Sequence, residues 1–193
     1  MFNYTPALLA PAGAVGDPYW SSVLSLLHYE GTHTQTINNA NIIDSKGIMF
    51  WVNHANPYYN NTPVSYGATV AAFEPNAGLS NTVYSTAHTQ SSTWTVECRL
   101  HHYAFGTDQT VWNVISDTAR INWLQINADR TISTNGFNSG VVLPFSQWVH
   151  VAVCSTASDL KIFLDGVLVA TSGTTGGTFG PLIYQFIGNY AAM

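Results

Sequence analysis

The ten carboxylates of this chain are the first residues to consider for acid–base chemistry. Glycoside hydrolysis needs two of them, one on either side of the scissile bond. Asp129 and Asp165 fall in tight turns, Asp159 precedes a strand, and Glu97 lies on the polar face of one. The spacing E-x-D-x-x-E, which brings acids together in glucanases, does not occur. We therefore predict a protein without enzymatic activity, and a glucanase-like hydrolase is the minor alternative.

The seven histidines do not have the spacing of a metal site. His101 and His102 are adjacent in a predicted strand, so their side chains point to opposite faces and cannot bind one ion together. No loop concentrates acids in the patterns typical of calcium sites. The sequence therefore predicts no metal and no other cofactor, and a single weak calcium site stays open as an alternative. Cys98 and Cys154 lie in apolar runs and are expected to be free thiols.

Trp51, Tyr58 and Tyr59 are the strongest candidates for ligand contact. Tryptophan and tyrosine rings stack on sugar rings and pack at protein interfaces. The pairs Asn56-Pro57 and Asn60-Asn61 around the tyrosines predict a loop. We expect this loop to bind a glycan or a neighbouring subunit. The alternative is that its aromatic residues cap the core.

Short strands must position these residues, because no stretch of ten or more residues has convincing helical periodicity. Thr93 to Tyr103 alternates, and its two faces are Val96, Cys98 and Leu100 against Thr95, Glu97, Arg99 and His101. Asp165-Gly166 predicts a type I′ hairpin turn between Leu160 to Leu164 and Val167 to Thr171. Many short strands at close spacing predict two antiparallel sheets packed face to face. Prolines and glycines near the start predict an extended arm over residues 1–16, followed by one sandwich domain over 17–193.

The composition limits the classes of partner. Only 8% of the 193 residues are charged, and Ser, Thr and Asn take over the surface in runs such as Ser85 to Thr95. Such a surface repels other copies weakly and favours close packing in an assembly. Five basic residues and a net charge of −5 argue against nucleic-acid binding. The start of the chain lacks a signal-peptide pattern and no apolar run is long enough to span a bilayer, so we expect a soluble protein made in the cytosol.

Several motifs together resemble a known family. These are Asp17-Pro18-Tyr19-Trp20 running on to His28, Trp94-Thr95-Val96-Glu97-Cys98, Gln147 to Val153 followed by Leu160 to Gly166, and Phe186-Ile187-Gly188. They are similar to the strands of laminin-G-like, concanavalin-A-like jelly-roll domains of the kind found in bacteriophage virion proteins. The resemblance covers residues 17 to 190 and implies an all-β, two-sheet antiparallel jelly-roll sandwich. It is specific for fold and weak for function.

The resemblance also implies an unpaired strand edge. Members of the family continue past the last of these motifs into a final strand that lies beside the opening strand, and this sequence stops at Met193. The opening strand would then expose backbone donors and acceptors, which proteins usually pair or cover. Its residues are Val23, Leu24, Ser25, Leu26, Leu27 and His28. We expect the N-terminal arm or another subunit to cover this edge by strand addition.

These observations favour a non-enzymatic structural protein of a phage virion, specifically a capsid decoration or cement subunit. The expected partners are the capsid lattice, other virion proteins and further copies of the chain in a homo-oligomer, a trimer. The expected location is the virion, after synthesis in the host cytoplasm. The alternative is a carbohydrate-binding adhesin module of a tail fibre, which would bind a glycan as an isolated protein.

Overall fold

The chain forms β-strands along the parts that the structure describes. This computed structural model describes residues 27–28, 43–44, 51–54, 58–60, 70–72, 82–86, 93–102, 106–116, 120–174 and 182–187, with side chains for 93–102, 106–113 and 123–174. The strands are β1 Leu27–His28, β2 Ile43–Asp44, β3 Trp51–His54, β4 Tyr58–Asn60, β5 Val70–Ala72, β6 Thr82–Thr86, β7 Trp94–His101, β8 Gln109–Ser116, β9 Arg120–Ile126, β10 Thr131–Thr134, β11 Phe137–Val142, β12 Trp148–Ser155, β13 Leu160–Leu164, β14 Val167–Ser172 and β15 Leu182–Ile187. In these ranges no helix has the length and apolar character to cross a membrane. The predicted arm, residues 1–16, lies outside them.

Two antiparallel sheets form the body of the fold. The larger has seven strands in the order β11-β10-β9-β8-β15-β6-β3, and the smaller has four in the order β14-β13-β12-β7. Two further ribbons pair β1 with β2 and β4 with β5. The architecture is the all-β, two-sheet, concanavalin-A-like jelly-roll sandwich that the sequence predicts.

The alternation of β7 decides which of its side chains enter the core between the sheets. Leu100 is buried and Val96 and Cys98 are partly buried, whereas Thr95 and Glu97 are exposed, which confirms the predicted faces at these positions. The core cluster draws on both sheets: Leu100, Val149, Val151, Val153, Leu160 and Ile162 from the smaller, and Val111, Leu124, Ile126, Ile132 and the adjoining Leu143 from the larger. Full burial of one such aliphatic side chain contributes about 1.5–3 kcal/mol. This rigid core holds the strand ends that carry the loops.

Hairpin turns are set by local chemistry. Asp165 and Gly166 have φ angles of +47° and +81°, as a type I′ turn requires, so the predicted hairpin between β13 and β14 is confirmed. Oδ1 of Asp165 also accepts a hydrogen bond from the amide of His150 (3.0 Å), which ties the turn to β12. Asn135 and Gly136, at +45° and +78°, make the same kind of turn between β10 and β11.

The two cysteines are free, as expected from the sequence. Cys98 packs against the core, and burial raises the pKa of its thiol to about 12. Cys154 pairs with Thr95, on the opposite face of the smaller sheet, and its sulfur accepts a hydrogen bond from the Thr95 hydroxyl (3.4 Å). Because the two thiols lie on opposite faces, they cannot form a disulfide with each other.

Candidate functional site

Three loops meet at one end of the sandwich, where β7 ends and β12 begins. They comprise residues 106–108 before β8, residues 127–131 at the turn from β9 into β10, and residues 143–147 between β11 and β12. We call them the loop cluster. The amide of Gly106 donates to the carbonyl of Ala128 (3.3 Å), and the amide of Leu143 donates to the carbonyl of Arg130 (3.0 Å). These bonds join three separate parts of the chain into one surface.

The turn from β9 into β10 is fixed from within and from its neighbour. The amide of Arg130 donates to the carbonyl of Asn127 (2.8 Å), which closes a four-residue turn at the predicted position. From the neighbouring loop, Oδ1 of Asp108 accepts a hydrogen bond from the amide of Ala128 (2.8 Å). The turn is therefore held on both sides.

A chain of polar side chains orients the carboxylate of Asp129. The Asn127 Oδ1 atom accepts from Gln125 Nε2 and Ser133 Oγ, each at 2.9 Å. Asn127 Nδ2 in turn donates to Thr131 Oγ1 (2.8 Å), and that hydroxyl donates to Asp129 Oδ1 (2.6 Å). The Thr131 amide donates to the same carboxylate oxygen (2.9 Å). These two donors from Thr131 hold the pKa of Asp129 below its usual range, so the carboxylate is charged and fixed in direction at neutral pH.

Arg130 and Phe145 contact each other within the loop cluster. The guanidinium carbon of Arg130 lies 5.9 Å from the centre of the Phe145 ring, within cation–π range. The Phe145 side chain remains 40% exposed, so part of the ring faces solvent. Arg130 and Ser146 have φ angles of +70° and +54°, in the left-handed region that favours glycine. A non-glycine residue held there costs about 1–3 kcal/mol.

Two buried histidines lie beside the loop cluster at the end of β7. The carbonyl of His102 accepts a hydrogen bond from the amide of Ser146 (2.8 Å), and the His101 ring lies 5.5 Å from the ring of Trp148. Burial lowers the pKa of both, that of His102 to about 4, with the charge of Arg130 adding to the effect on His102. Neither ring nitrogen of His102 has a hydrogen-bond partner. His101, which the alternation places on the same face as Glu97, is buried, because Trp148 of the paired strand packs against it.

The described residues do not assemble a metal site. Across these parts of the chain, no three His, Cys, Asp or Glu side chains converge on one point. Within the loop cluster, Asp108 and Asp129 are the two carboxylates, and each has one oxygen engaged by a backbone donor of the turn.

A second polar patch lies on the outer face of the smaller sheet. Glu97 of β7 and His150 of β12 approach with Oε2 and Nε2 3.5 Å apart, and both side chains are partly exposed. An exposed pair of this kind contributes at most about 1 kcal/mol to stability. The pair is a candidate for proton transfer, because a carboxylate and an imidazole lie next to each other and both are accessible to solvent.

The predicted aromatic ligand residues lie on strands. Trp51 is the first residue of β3, the edge strand of the larger sheet. Tyr58 and Tyr59 belong to β4, where they pair with Ala72 and Ala71 of β5. The prediction of a loop at Tyr58 and Tyr59 was therefore wrong, because pairing with β5 extends the backbone. Their role as ligand or interface residues stays a prediction.

The predicted assembly edge is described at two of its residues. Leu27 pairs with Asp44, and His28 pairs with Ile43, so one side of the strand is paired within the chain there. Residues 23–26 lie outside the described ranges. Strand addition at this edge stays a prediction.

Sequence reasoning did not single out Arg130 or Phe145. Two signals point to them in retrospect. Arg130 is one of only five basic residues in the chain, and it directly follows Asp129, which the sequence places in a tight turn. Phe145 lies between a proline and a serine, in a segment whose sequence does not predict a strand. A large apolar side chain outside the predicted strands is a candidate for ligand contact.

Comparison with known proteins supports the fold. No protein-family model matches the chain, and no curated protein matches its sequence. The structure of Trypanosoma rangeli sialidase in complex with sialic acid aligns with a TM-score of 0.60 at 10% identity, over 100% of this chain and 31% of the sialidase. The chain thus spans about a third of that enzyme. Domain 4 of AbnA, a GH43 extracellular arabinanase from Geobacillus stearothermophilus, in complex with arabinotriose, aligns with a TM-score of 0.53 at 14% identity, over 89% of this chain and 96% of that domain.

These likenesses correct one prediction. The chain was expected to have no enzymatic activity because the glucanase spacing of acids is missing. That prediction was wrong, since the solved structures that share the sandwich come from glycoside hydrolases, a sialidase and an arabinanase. The error lay in treating one missing motif as evidence against a whole class of activity.

Proposed function

We propose that the chain binds carbohydrate and that the loop cluster is its ligand site. The observation that carries the proposal is the pairing of an exposed aromatic ring, Phe145, with the oriented carboxylate of Asp129 on the neighbouring turn. Sugar rings offer C–H faces that stack on aromatic rings and hydroxyl groups that donate to carboxylates. The two groups therefore match the two kinds of surface that a sugar presents.

The fold supports the same proposal. The domain of the arabinanase that aligns over almost its full length was solved in complex with arabinotriose. A sandwich of this size and shape is thus compatible with binding a short oligosaccharide. The low charge of the chain also suits a ligand that is recognised through stacking and hydroxyl hydrogen bonds.

Titration calorimetry of the full chain with an oligosaccharide panel, arabinotriose included, tests the proposal. We expect Phe145→Ala to weaken binding about tenfold or more, which corresponds to about 1.4 kcal/mol. Thr171→Ala is the control, because Thr171 is exposed on β14, outside the loop cluster and the apolar patch described below. Absence of binding to every oligosaccharide, or equal effects of the two substitutions, would rule out this site.

Hydrolysis of the bound glycan is the second candidate function. Glu97 on the outer face of the smaller sheet supplies one of the two carboxylates that hydrolysis needs, with the imidazole of His150 beside it, and the structural neighbours come from glycosidases. The test is the release of reducing sugar from the same panel, with Glu97→Gln as the variant. Turnover that the substitution abolishes would support this pair, and turnover that survives it would exclude it.

The virion role suggested by the sequence is a further proposal. Val142 at the end of β11 and Val167 and Leu168 at the start of β14 are 48%, 64% and 48% exposed. Strands β11 and β14 contact each other at the side of the sandwich, so these apolar residues favour contact with another subunit. Light scattering tests this with the full chain: a trimer that dissociates in Val167→Asp supports it, and a monomer contradicts it. A tail-fibre adhesin would need both properties, carbohydrate binding and assembly with other subunits.

A further inference from the structure

We propose that the loop cluster selects glycans that carry a carboxylate, and that Arg130 is the residue that binds this carboxylate. The inference rests on the proposed carbohydrate-binding function and specifies its ligand class. Guanidinium groups bind carboxylates through two parallel hydrogen bonds, which gives both charge and geometric selectivity. A sugar acid, either a sialic acid or a uronic acid, fits this chemistry.

The guanidinium of Arg130 is available for such a ligand. In the part of the chain that the structure describes, the ion pairs are His150 with Glu97 and Lys161 with Asp159, and Arg130 takes part in neither. Its contact is with the Phe145 ring, over which the guanidinium carbon lies 5.9 Å from the centroid. A sugar acid that contacts the exposed part of the ring would therefore lie near enough for its carboxylate to reach the cation.

The nearby acids do not take up the charge of Arg130. Oδ1 of Asp129 accepts from the amide and the hydroxyl of Thr131, and Oδ1 of Asp108 accepts from the amide of Ala128. One oxygen of each carboxylate is thus engaged by the turn. Arg130 and the two acids therefore have separate partners, and the described ion pairs include none of the three.

The backbone at Arg130 supports a role for its side chain. At φ +70°, glycine would remove the steric cost, yet the chain carries arginine there. In the described chain, the hairpin turns at Asn135-Gly136 and Asp165-Gly166 place asparagine or aspartate at such angles, and glycine follows each. Arginine is not a residue that favours this conformation, so the turn itself does not explain it.

His102 supplies an independent readout. The positive charge of Arg130 is one of the causes that lower the pKa of His102. A carboxylate bound to Arg130 offsets that charge, so ligand binding should raise the pKa of His102 above its value in the free protein. A neutral sugar on Phe145 brings no such charge and should leave it unchanged.

Calorimetry with sialyllactose against lactose, and with trigalacturonate against galactotriose, tests the inference on the full chain. We expect at least one acidic sugar to bind tenfold or more tightly than its neutral partner at low salt, and the sugar that does so identifies the source of the carboxylate. Arg130→Gln should remove the preference without removing binding. Arg130→Gly should do the same, and it guards against misfolding because glycine is unstrained at this angle.

The outcomes separate the two proposals. Equal affinity for acidic and neutral sugars, or a preference that survives both Arg130 substitutions, overturns the carboxylate inference and leaves carbohydrate binding intact. Binding of no sugar in either pair or in the wider panel overturns both. An NMR titration of His102 with sialyllactose or trigalacturonate, whichever binds more tightly, must show its pKa rising, and an unchanged value also counts against Arg130.

Discussion

Burial of His102 predicts a loss of stability on acidification that one substitution should remove. The folded protein lowers the pKa of this imidazole from 6.5 to about 4, first through burial and then through the charges around it, Arg130 among them. The unfolded chain therefore takes up a proton more readily than the folded one between these two values. The contribution is fully present above about pH 6.5 and is lost as the pH falls toward 4.

The size of the effect follows from the same values. A pKa lowered from 6.5 to about 4 corresponds to about 3 kcal/mol of unfolding free energy between pH 7 and pH 4. His102 is only 5% exposed, so solvent screens the effect little. The pKa of His101 is lowered as well and adds in the same direction. Against a typical domain stability of about 5–15 kcal/mol, the change is large.

Urea unfolding at several pH values between 7 and 4 measures this loss. In His102→Leu the pH dependence should shrink by about 3 kcal/mol, because no group titrates at that position. At pH 7 the variant should be as stable as the parent or more so, since both ring nitrogens of His102 are buried without a hydrogen-bond partner. Ile162→Ala is the control, because it disturbs the core without removing a titratable group and should leave the pH dependence in place. An unchanged profile in His102→Leu would refute the reasoning.

Three further predictions concern the framework of the site. Ile162→Ala should lower the free energy of unfolding by about 2–5 kcal/mol, because it opens a cavity at a fully buried position of the core, and urea unfolding measures the loss. Gly166→Ala should lower the free energy of unfolding by about 1 kcal/mol, because alanine is strained at the φ of +81°. Gly173→Ala should be nearly neutral, because φ is not positive there and the space is open. Equal melting temperatures of the two variants would contradict this. Iodoacetamide at pH 8 should leave Cys98 unmodified in the folded protein, because burial raises the pKa of its thiol to about 12. The same reagent should modify Cys98 in urea. Alkylated Cys98 in mass spectra of the folded sample would exclude this burial.

The elements that sequence predicts well are those with local causes. The Asp165-Gly166 turn was predicted because two adjacent residues determine its geometry, and β7 was predicted because its alternation reflects burial on one face. The strand β6, Thr82–Thr86, was not predicted, because its Thr- and Ser-rich sequence is typical of a polar surface. It is a strand because β15 pairs on one side and β3 on the other. Such pairing depends on residues far away in the chain.

β11 shows a second reason why a strand is missed. Between the pairs Thr131–Val142 and Ser133–Asn138, β11 has three residues opposite one on β10. The bulge contains Gly140 at φ +67° and breaks the period-two pattern on which strand prediction depends. The candidate site is harder still, since contacts between loops, such as that of Arg130 with Phe145, depend on the complete sandwich.

Three unfavourable local choices among the described residues meet at one end of the sandwich. Arg130 and Ser146 adopt left-handed backbone conformations without being glycine, and His102 is buried without a hydrogen-bond partner for either ring nitrogen. All three belong to the loop cluster or touch it, whereas the hairpin turns at Asn135-Gly136 and Asp165-Gly166 use the residues that their geometry favours. A sequence optimised only for folding would avoid glycine-favouring angles at Arg130 and Ser146. Their coincidence with an exposed ring and a guanidinium outside the described ion pairs is what we expect of a surface shaped by binding.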